Sequence, residues 1–329
     1  MSSLSAAQVE AYLDRISLPE PTKSLLISGK TTSENALEAI TALQQHHVAA
    51  IPYDNLALHY SAHKSLPQDT ESVFQHVVLK RRGGTCIQVN LLFLELLRSL
   101  GFNAYCTAGR LNAQASIAQK VGPASAGESK ESRAVFGTWV HVHIIINLHS
   151  QKYMLDTSFN QFGSPSPVPL LHDSPEIDVG PGRQRRMLHA PLPGFTNSEQ
   201  IWWRMQLRNS DSEPWMDVYA FQESEWLPFD FAIMTQGLAG MGVGWFKTLV
   251  VCFRWVLEKG KPVGWIMVWG DELRRCRGGK VEVERKFYSE GDRLQVLEEE
   301  FGMHFKEDEK DGIVGTGTEI VGDDFDFYG

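Results

Sequence analysis

The sequence predicts an α+β protein with a helical first third, a β-rich middle and a mixed third part, and three observations predict it. Apolar residues recur three or four positions apart from residue 5 to about residue 101. Beyond Gly101 the period shortens, and β-branched and aromatic residues dominate much of 104–155. After about residue 226, strand-like apolar runs alternate with helical ones. With 329 residues, 43% of them hydrophobic, the chain is long enough to bury sizeable cores in two or three domains.

In the first third, Ala11, Tyr12, Leu13 and Ile16 mark one helix, 36–43 a second opened by Ser33 and Glu34, and 73–79 a third. Gly83-Gly84 interrupts this pattern. Residues 87–100 are then apolar almost all round, as in a helix buried on most sides, and Gly101 supplies its stop. Together these elements read as a helical bundle. Strands follow at 104–111, 135–148 and 151–155, with 112–133, rich in Ala, Ser, Gly and Lys, as a surface insertion. The Pro- and Gly-rich stretch 164–193 reads as irregular. Strands resume at 200–207 and 216–221, before a helix over 226–234. The glycine-rich run 237–244 reads as a flexible turn; strands are expected at 248–256, 262–268 and 281–287, and an amphipathic helix at 294–301. The acidic, glycine-rich tail from Asp308 is expected to pack loosely.

The charge balance narrows the function. Forty acidic against 31 basic side chains give a net charge of −9, and no Lys/Arg block with interleaved aromatics is present, so a nucleic-acid surface is not expected. Residues 1–10 are polar, without the features of a secretory signal, which points to a cytoplasmic protein. No apolar run approaches the roughly 20 residues of a membrane span. Cysteines 86, 106, 252 and 276 form no C-x-x-C pair and no zinc spacing with histidine, so neither disulfide nor metal is expected.

The informative segment is Arg81-Arg82-Gly83-Gly84-Thr85-Cys86-Ile87-Gln88-Val89-Asn90. Two glycines let the chain turn tightly into a helix whose first turn carries Cys86, where unpaired N–H groups and the helix dipole favour a thiolate. The competing reading is a small buried filler, the usual fate of a free cysteine. Polar Gln88 and Asn90 on an otherwise apolar helix weigh against it. A thiolate nucleophile needs an imidazole to move its proton and a third group to orient the ring. His141 and His143 share one face of a strand, and a hairpin would bring Asp156, at the end of the next strand, beside either of them.

The block from Arg82 to Asn90, with the upstream Ile51-Pro52-Tyr53-Asp54-Asn55-Leu56, resembles the arylamine N-acetyltransferases. The resemblance runs from Tyr12-Leu13-Asp14-Arg15-Ile16 to a looser match at Phe301-Gly302 and is weakest in the last third. It implies a papain-like cysteine-transferase architecture: a helical bundle over 1–101 carrying the cysteine, an antiparallel β-barrel over 102–215 carrying His and Asp, and an α/β lid and tail over 216–329. In that family the aspartate follows the strand histidine by fifteen positions, which selects His141 over His143 and gives the triad Cys86, His141 and Asp156. The implied reaction takes an acyl group from acetyl-CoA or malonyl-CoA onto Cys86 and passes it to an arylamine or hydrazine. No permanently bound cofactor is implied, and a monomer is expected. By the same resemblance Gly137 and Thr138 contact coenzyme A, Val140 and Phe159 face the acceptor, and Asp54, Arg82, Gln88 and Asn90 give structural support, with Asp54 and Arg82 as a salt bridge.

Two departures bear on substrate. Many members have Gly-Phe-Gly where this chain has Ser158-Phe159-Asn160, and the 112–133 insertion is longer than usual. Some fungal-type members favour malonyl donors. Two rival readings keep the same residues: a papain-like cysteine hydrolase passing the acyl group to water, and a non-catalytic binding protein. Elsewhere, the run 237–244 lacks the Lys-Ser/Thr of a phosphate loop. His46-His47 and Glu298-Glu299-Glu300 read as solvated helix faces, and Trp202, Trp203, Trp265 and Trp269 as core or domain-interface aromatics.

Overall fold

The computed structural model describes residues 4–61, 63–113, 115, 134–173, 177–178, 183–241 and 245–322. Ser5 caps α1 (Ala6–Arg15), accepting from the Gln8 backbone while the Gln8 side chain reaches back to the Ser5 N–H. Its Tyr12 and Leu13 are fully buried against α3 (Ala36–Ala50) and α5 (Cys86–Ser99). Two helical pieces join them: α2 (Glu20–Ile27), and the short α4 (Thr70–Phe74), which loosens into a π turn over Gln75–Leu79.

The middle of the chain forms an eight-stranded antiparallel sheet. Its strands are β2 (Asn103–Asn112), β3 (Phe136–Leu148), β4 (Gln151–Leu155), β5 (Val168–Pro169), β6 (Ile177–Asp178), β7 (Gln184–Pro191), β8 (Ile201–Arg208) and β9 (Met216–Phe221), in the spatial order β5-β4-β3-β2-β9-β8-β7-β6. A short two-residue strand, β1 (Tyr53–Asp54), precedes them in sequence but belongs elsewhere. The edge strand β5 returns against β7, so the sheet curls into a nearly closed barrel filled by Met154, Phe162, Met187, Met205 and Tyr219. Its outer face, through Ala104, Cys106, Ala108, Val142 and Ile144, packs on the helical bundle.

After α6 (Pro228–Met241) comes a five-stranded antiparallel sheet of β10 (Val251–Glu258), β11 (Lys261–Trp269), β12 (Glu272–Arg277) and β13 (Lys280–Lys286). β1 is its fifth strand, pairing Tyr53 with Phe253 and Asp54 with Cys252. The helix α7 (Glu290–Phe301), capped by Ser289 and ended at the left-handed Gly302, covers this sheet.

Several expectations are corrected. The strand 216–221, expected in the lid, is β9, which pairs with both β2 and β8, so the barrel sheet extends to Phe221. The stretch 164–193 is not wholly irregular: it contains β5, β6 and the eight-residue β7, which lacks a clean apolar alternation because Arg185 occupies a fully buried position. The glycine-rich run begins as helix, since α6 continues through Met241, and 242–244 lie outside the described residues. Residues 116–133 of the expected insertion also lie outside them. The tail is pinned through Thr318, whose carbonyl accepts from Arg293 and whose hydroxyl meets His59, and Ile320, whose N–H donates to Glu290 at 3.2 Å, while 323–329 are outside the described residues. His47 is buried and bonded to the Tyr12 hydroxyl at 2.7 Å rather than solvated. Trp202, Trp203, Trp265 and Trp269 are core aromatics.

Candidate active site

The Gly83-Gly84 turn exists because two chain segments cross there. A side chain on Gly83 would collide with the Pro52 carbonyl and the Asp54 carboxylate, and the Gly84 N–H donates to Pro52 at 3.2 Å. Gly83→Ala is therefore expected to lower stability by about 1–3 kcal/mol, the usual cost of overpacking, and to reduce activity with it. Parallel thermal melts and rate assays check this; an unchanged melting point would contradict the close crossing. From this turn the chain enters α5 at Cys86. Gln88 fastens the entry by accepting from the Thr85 N–H at 3.0 Å while its amide donates to the Pro67 carbonyl at 3.0 Å.

Cys86 is 5% exposed, and its thiol lies 3.8 Å from the Val140 carbonyl at a bulge in β3. The next residue, His141, is also buried, and its Nε2 meets Asp156 Oδ2 at 2.7 Å. With Nε2 so engaged, Nδ1 remains for the sulfur, and the Cys86 side chain is within hydrogen-bonding reach of the ring. Asp156 arrives by the β3–β4 hairpin, one residue beyond the Ile144–Leu155 pair.

Asp156 is fixed from several sides. Its Oδ1 accepts from the Ser158 N–H at 3.0 Å and the Ser158 hydroxyl at 3.3 Å. Asn90, on α5, donates to Asp156 Oδ1 at 3.4 Å and the Val142 carbonyl at 2.7 Å, while its oxygen accepts from the Thr157 N–H and hydroxyl. Asn90 thereby ties α5 to β3 and to the turn after β4. Phe159 lies against the His141 ring at 4.7 Å between centroids, and Tyr219 at 5.4 Å.

Burial opposes a charge on His141, but the Asp156 carboxylate, its hydrogen bond and the Cys86 sulfur more than offset this, raising its pKa to about 10. Asp156 is likewise opposed by burial, yet the His141 charge and hydrogen bond hold it below the usual carboxylate range. His143, two residues along, behaves oppositely. Burial and the neighbouring His141 charge push it down to about 3, and among the described residues both its ring nitrogens are without partners while it stacks on Tyr219. His143 is thus held neutral against Tyr219.

Gly137 and Thr138 are exposed at the start of β3, where the Gly137 carbonyl accepts from Arg110, and Val140 is half-buried beside the sulfur. The expected Asp54–Arg82 salt bridge is not formed. Arg82 instead donates to the His304 carbonyl at 2.5 Å and Glu309 at 2.9 Å and stacks over Phe305. Asp54 Oδ1 caps the Leu56 N–H, and burial raises that carboxyl to about 6. Sequence reasoning also missed the far wall of the site. Tyr53, Phe253 and Trp255 line a narrow cleft with Asp156, Phe159 and Asn160, and only the β1–β10 pairing, invisible in a two-residue strand, brings them there.

A family model described as N-acetyltransferase matches residues 36–310, most of the chain. The chain belongs to the arylamine N-acetyltransferase family. It is an acyltransferase of that family. It is similar to an N-malonyltransferase FDB2 of Fusarium pseudograminearum, 28% identical over 94% of this chain and 92% of that protein. In fold it resembles the arylamine N-acetyltransferase of Salmonella typhimurium, with a TM-score of 0.71 at 19% identity over 93% of this chain and 97% of the other. It also resembles the Mycobacterium marinum arylamine N-acetyltransferase solved in complex with CoA, with a TM-score of 0.66 at 17% identity over 90% and 92% of the two chains. Among the described residues no helix is long and apolar enough to cross a membrane, and no cluster of His, Cys, Asp and Glu could hold a metal.

Proposed function

We propose that this arylamine N-acetyltransferase relative carries an acetyl or malonyl group from acyl-CoA to an arylamine or hydrazine by a ping-pong reaction through Cys86. The observation that carries this reading is the buried chain of contacts from Cys86 through His141 to Asp156. Its charge pattern keeps a proton on His141. Cys86, reacting as the thiolate, attacks the carbonyl carbon of the donor thioester. The bond to coenzyme A breaks, and His141 gives its proton to the departing sulfur. The amine then attacks the Cys86 thioester, neutral His141 takes the proton released by the nitrogen, and Cys86 leaves as thiolate, restoring the starting pair. Asp156 orients the ring throughout.

In this reading Gly137 and Thr138 contact the donor at the mouth of the site, Val140 and Phe159 contact the acceptor, and Gln88 and Asn90 hold the nucleophile's helix in register with the strands. Asp54 and Arg82 support the Gly83-Gly84 turn separately rather than as a pair. The protein acts as a monomer in the cytoplasm. Mixing it with acetyl-CoA or malonyl-CoA and no amine should leave one acyl group on Cys86, seen as one added acyl mass in the intact protein. Absence of an adduct with every short acyl donor overturns the mechanism. An adduct that discharges no faster when an arylamine is added favours hydrolysis instead.

A further inference from the structure

A cavity of about 190 Å³ lies between residues 56–65, Arg82 at the entry to the Gly83-Gly84 turn, and Phe305 and Glu309 of the C-terminal segment. It shares no lining residue with the cleft at Asp156 and Phe159. Its volume is many times the roughly 10–15 Å³ that one water needs. Two buried side chains of opposite charge line it without meeting. Arg82 is 7% exposed and Asp54 2% exposed. Among the described residues, Arg82 Nη1 has no hydrogen-bond partner, and neither has Asp54 Oδ2, which lies against Gly83.

The charge around the cavity is already balanced. Arg82 is paired with Glu309 through Nη2 at 2.9 Å. Burial raises the Asp54 carboxyl to about 6 against the weaker pull of the Leu56 N–H, Arg82 and the Gly83 N–H. Burial, with the charges of Arg82 and Lys80, pushes His76 down to about 4, so its ring is neutral. A free anion in the cavity would meet Asp54 and Glu309, and a free cation would meet Arg82. What is unsatisfied is hydrogen bonding, one donor and one acceptor. Much of the remaining wall is apolar: Leu56, Ala57 and the rings of Tyr60 and Phe305, whose centroids are 4.9 Å apart.

A neutral secondary amide carried on an aromatic ring answers all of these features. Its carbonyl accepts from Arg82 Nη1, its N–H donates to Asp54 Oδ2, and its ring packs against Tyr60 and Phe305. A free arylamine lacks the carbonyl. Resting on the acyl-transfer reading above for the origin of the ligand, we infer that this cavity is a second binding site, separate from the cleft, for an N-acyl arylamine, the class of product that the transferase releases. Arg82 leads directly into Gly83-Gly84 and Cys86, so an amide bound there acts on the nucleophile through the turn.

The probe is acetanilide, added to the whole protein after Cys86 has been alkylated with iodoacetamide to block the cleft, with binding read by calorimetry. One equivalent should bind. Aniline, which lacks the carbonyl, and N-methylacetanilide, which lacks the N–H, should each bind at least about 10-fold more weakly, because each leaves a buried charged group unpaired. Ala57→Phe, which fills the cavity, should remove binding and keep a cooperative thermal melt; if that variant does not fold, the three probes on the wild-type chain decide. With the unalkylated protein, acetanilide should lower kcat and leave the KM for acyl-CoA unchanged. A product returning to the cleft in a ping-pong reaction would instead compete with acyl-CoA. No binding, binding seen only before alkylation, equal binding of the three probes, or purely competitive inhibition overturns the inference. If no donor acylates Cys86, the acyl-transfer mechanism falls, while the same probe ranking would still establish the cavity as an aryl-amide site.

Discussion

Cys86→Ser should abolish acyl transfer while leaving the fold intact: a loss of at least about 10³-fold in kcat/KM, with a stability change within about 1 kcal/mol. The substitution changes one atom of similar size at a position only 5% exposed, so packing around Val140 and Tyr53 is nearly conserved. The chemistry is not conserved. A hydroxyl is a far weaker acid than a thiol, so His141 would have to remove a proton that serine holds firmly, and the ester formed would be a poorer acyl donor to an amine than the thioester. The matched measurements are a thermal melt and product formation from acyl-CoA and an arylamine. Retention of more than about a tenth of wild-type rate, with acyl mass on another residue, would assign the nucleophile elsewhere.

Much of this site was legible because its parts are encoded locally. Gly83-Gly84 announces a tight entry to a helix, and Cys86 lies at its first turn. His141 and Asp156 sit on adjacent strands of one hairpin, a relation that a short turn at His149 and Ser150 makes readable from spacing. Choosing between His141 and His143 was not possible from alternation, because both point into the barrel. What separates them physically is that Asp156 reaches only the first, and burial keeps the second neutral. The partner of Arg82 was not legible either, since Glu309 lies 227 positions away and is brought back by the packing of the last helices. Buried Arg185 interrupts the apolar pattern of β7 and hides the strand.

Asp156→Asn is expected to be almost as damaging as loss of the sulfur, and its pH signature distinguishes electrostatics from simple disruption. The carboxylate now fixes the ring with the Nε2 proton toward Oδ2, leaving Nδ1 facing Cys86. An amide in its place can donate to Nε2, which moves the ring proton to Nδ1 and removes the lone pair that must accept the amine's proton; a loss of about 10³–10⁴-fold in rate follows, as for the equivalent change in a serine-protease triad. The charge consequence is separate. In the wild type His141 is raised from 6.5 to about 10, so its contribution to stability is fully present below about pH 6.5 and disappears as pH rises through about 10. Asp156 is depressed, so its contribution is present above the unfolded carboxylate range and is lost as pH falls through its lower folded value. Without the carboxylate, only the Cys86 sulfur opposes burial at His141, so its pKa should fall well below the wild-type value. Denaturant unfolding from pH 6.5 to 10 should therefore show a decline in wild-type stability that Asp156→Asn lacks. Parallel curves across that window would mean that Asp156 places the ring but does not charge it.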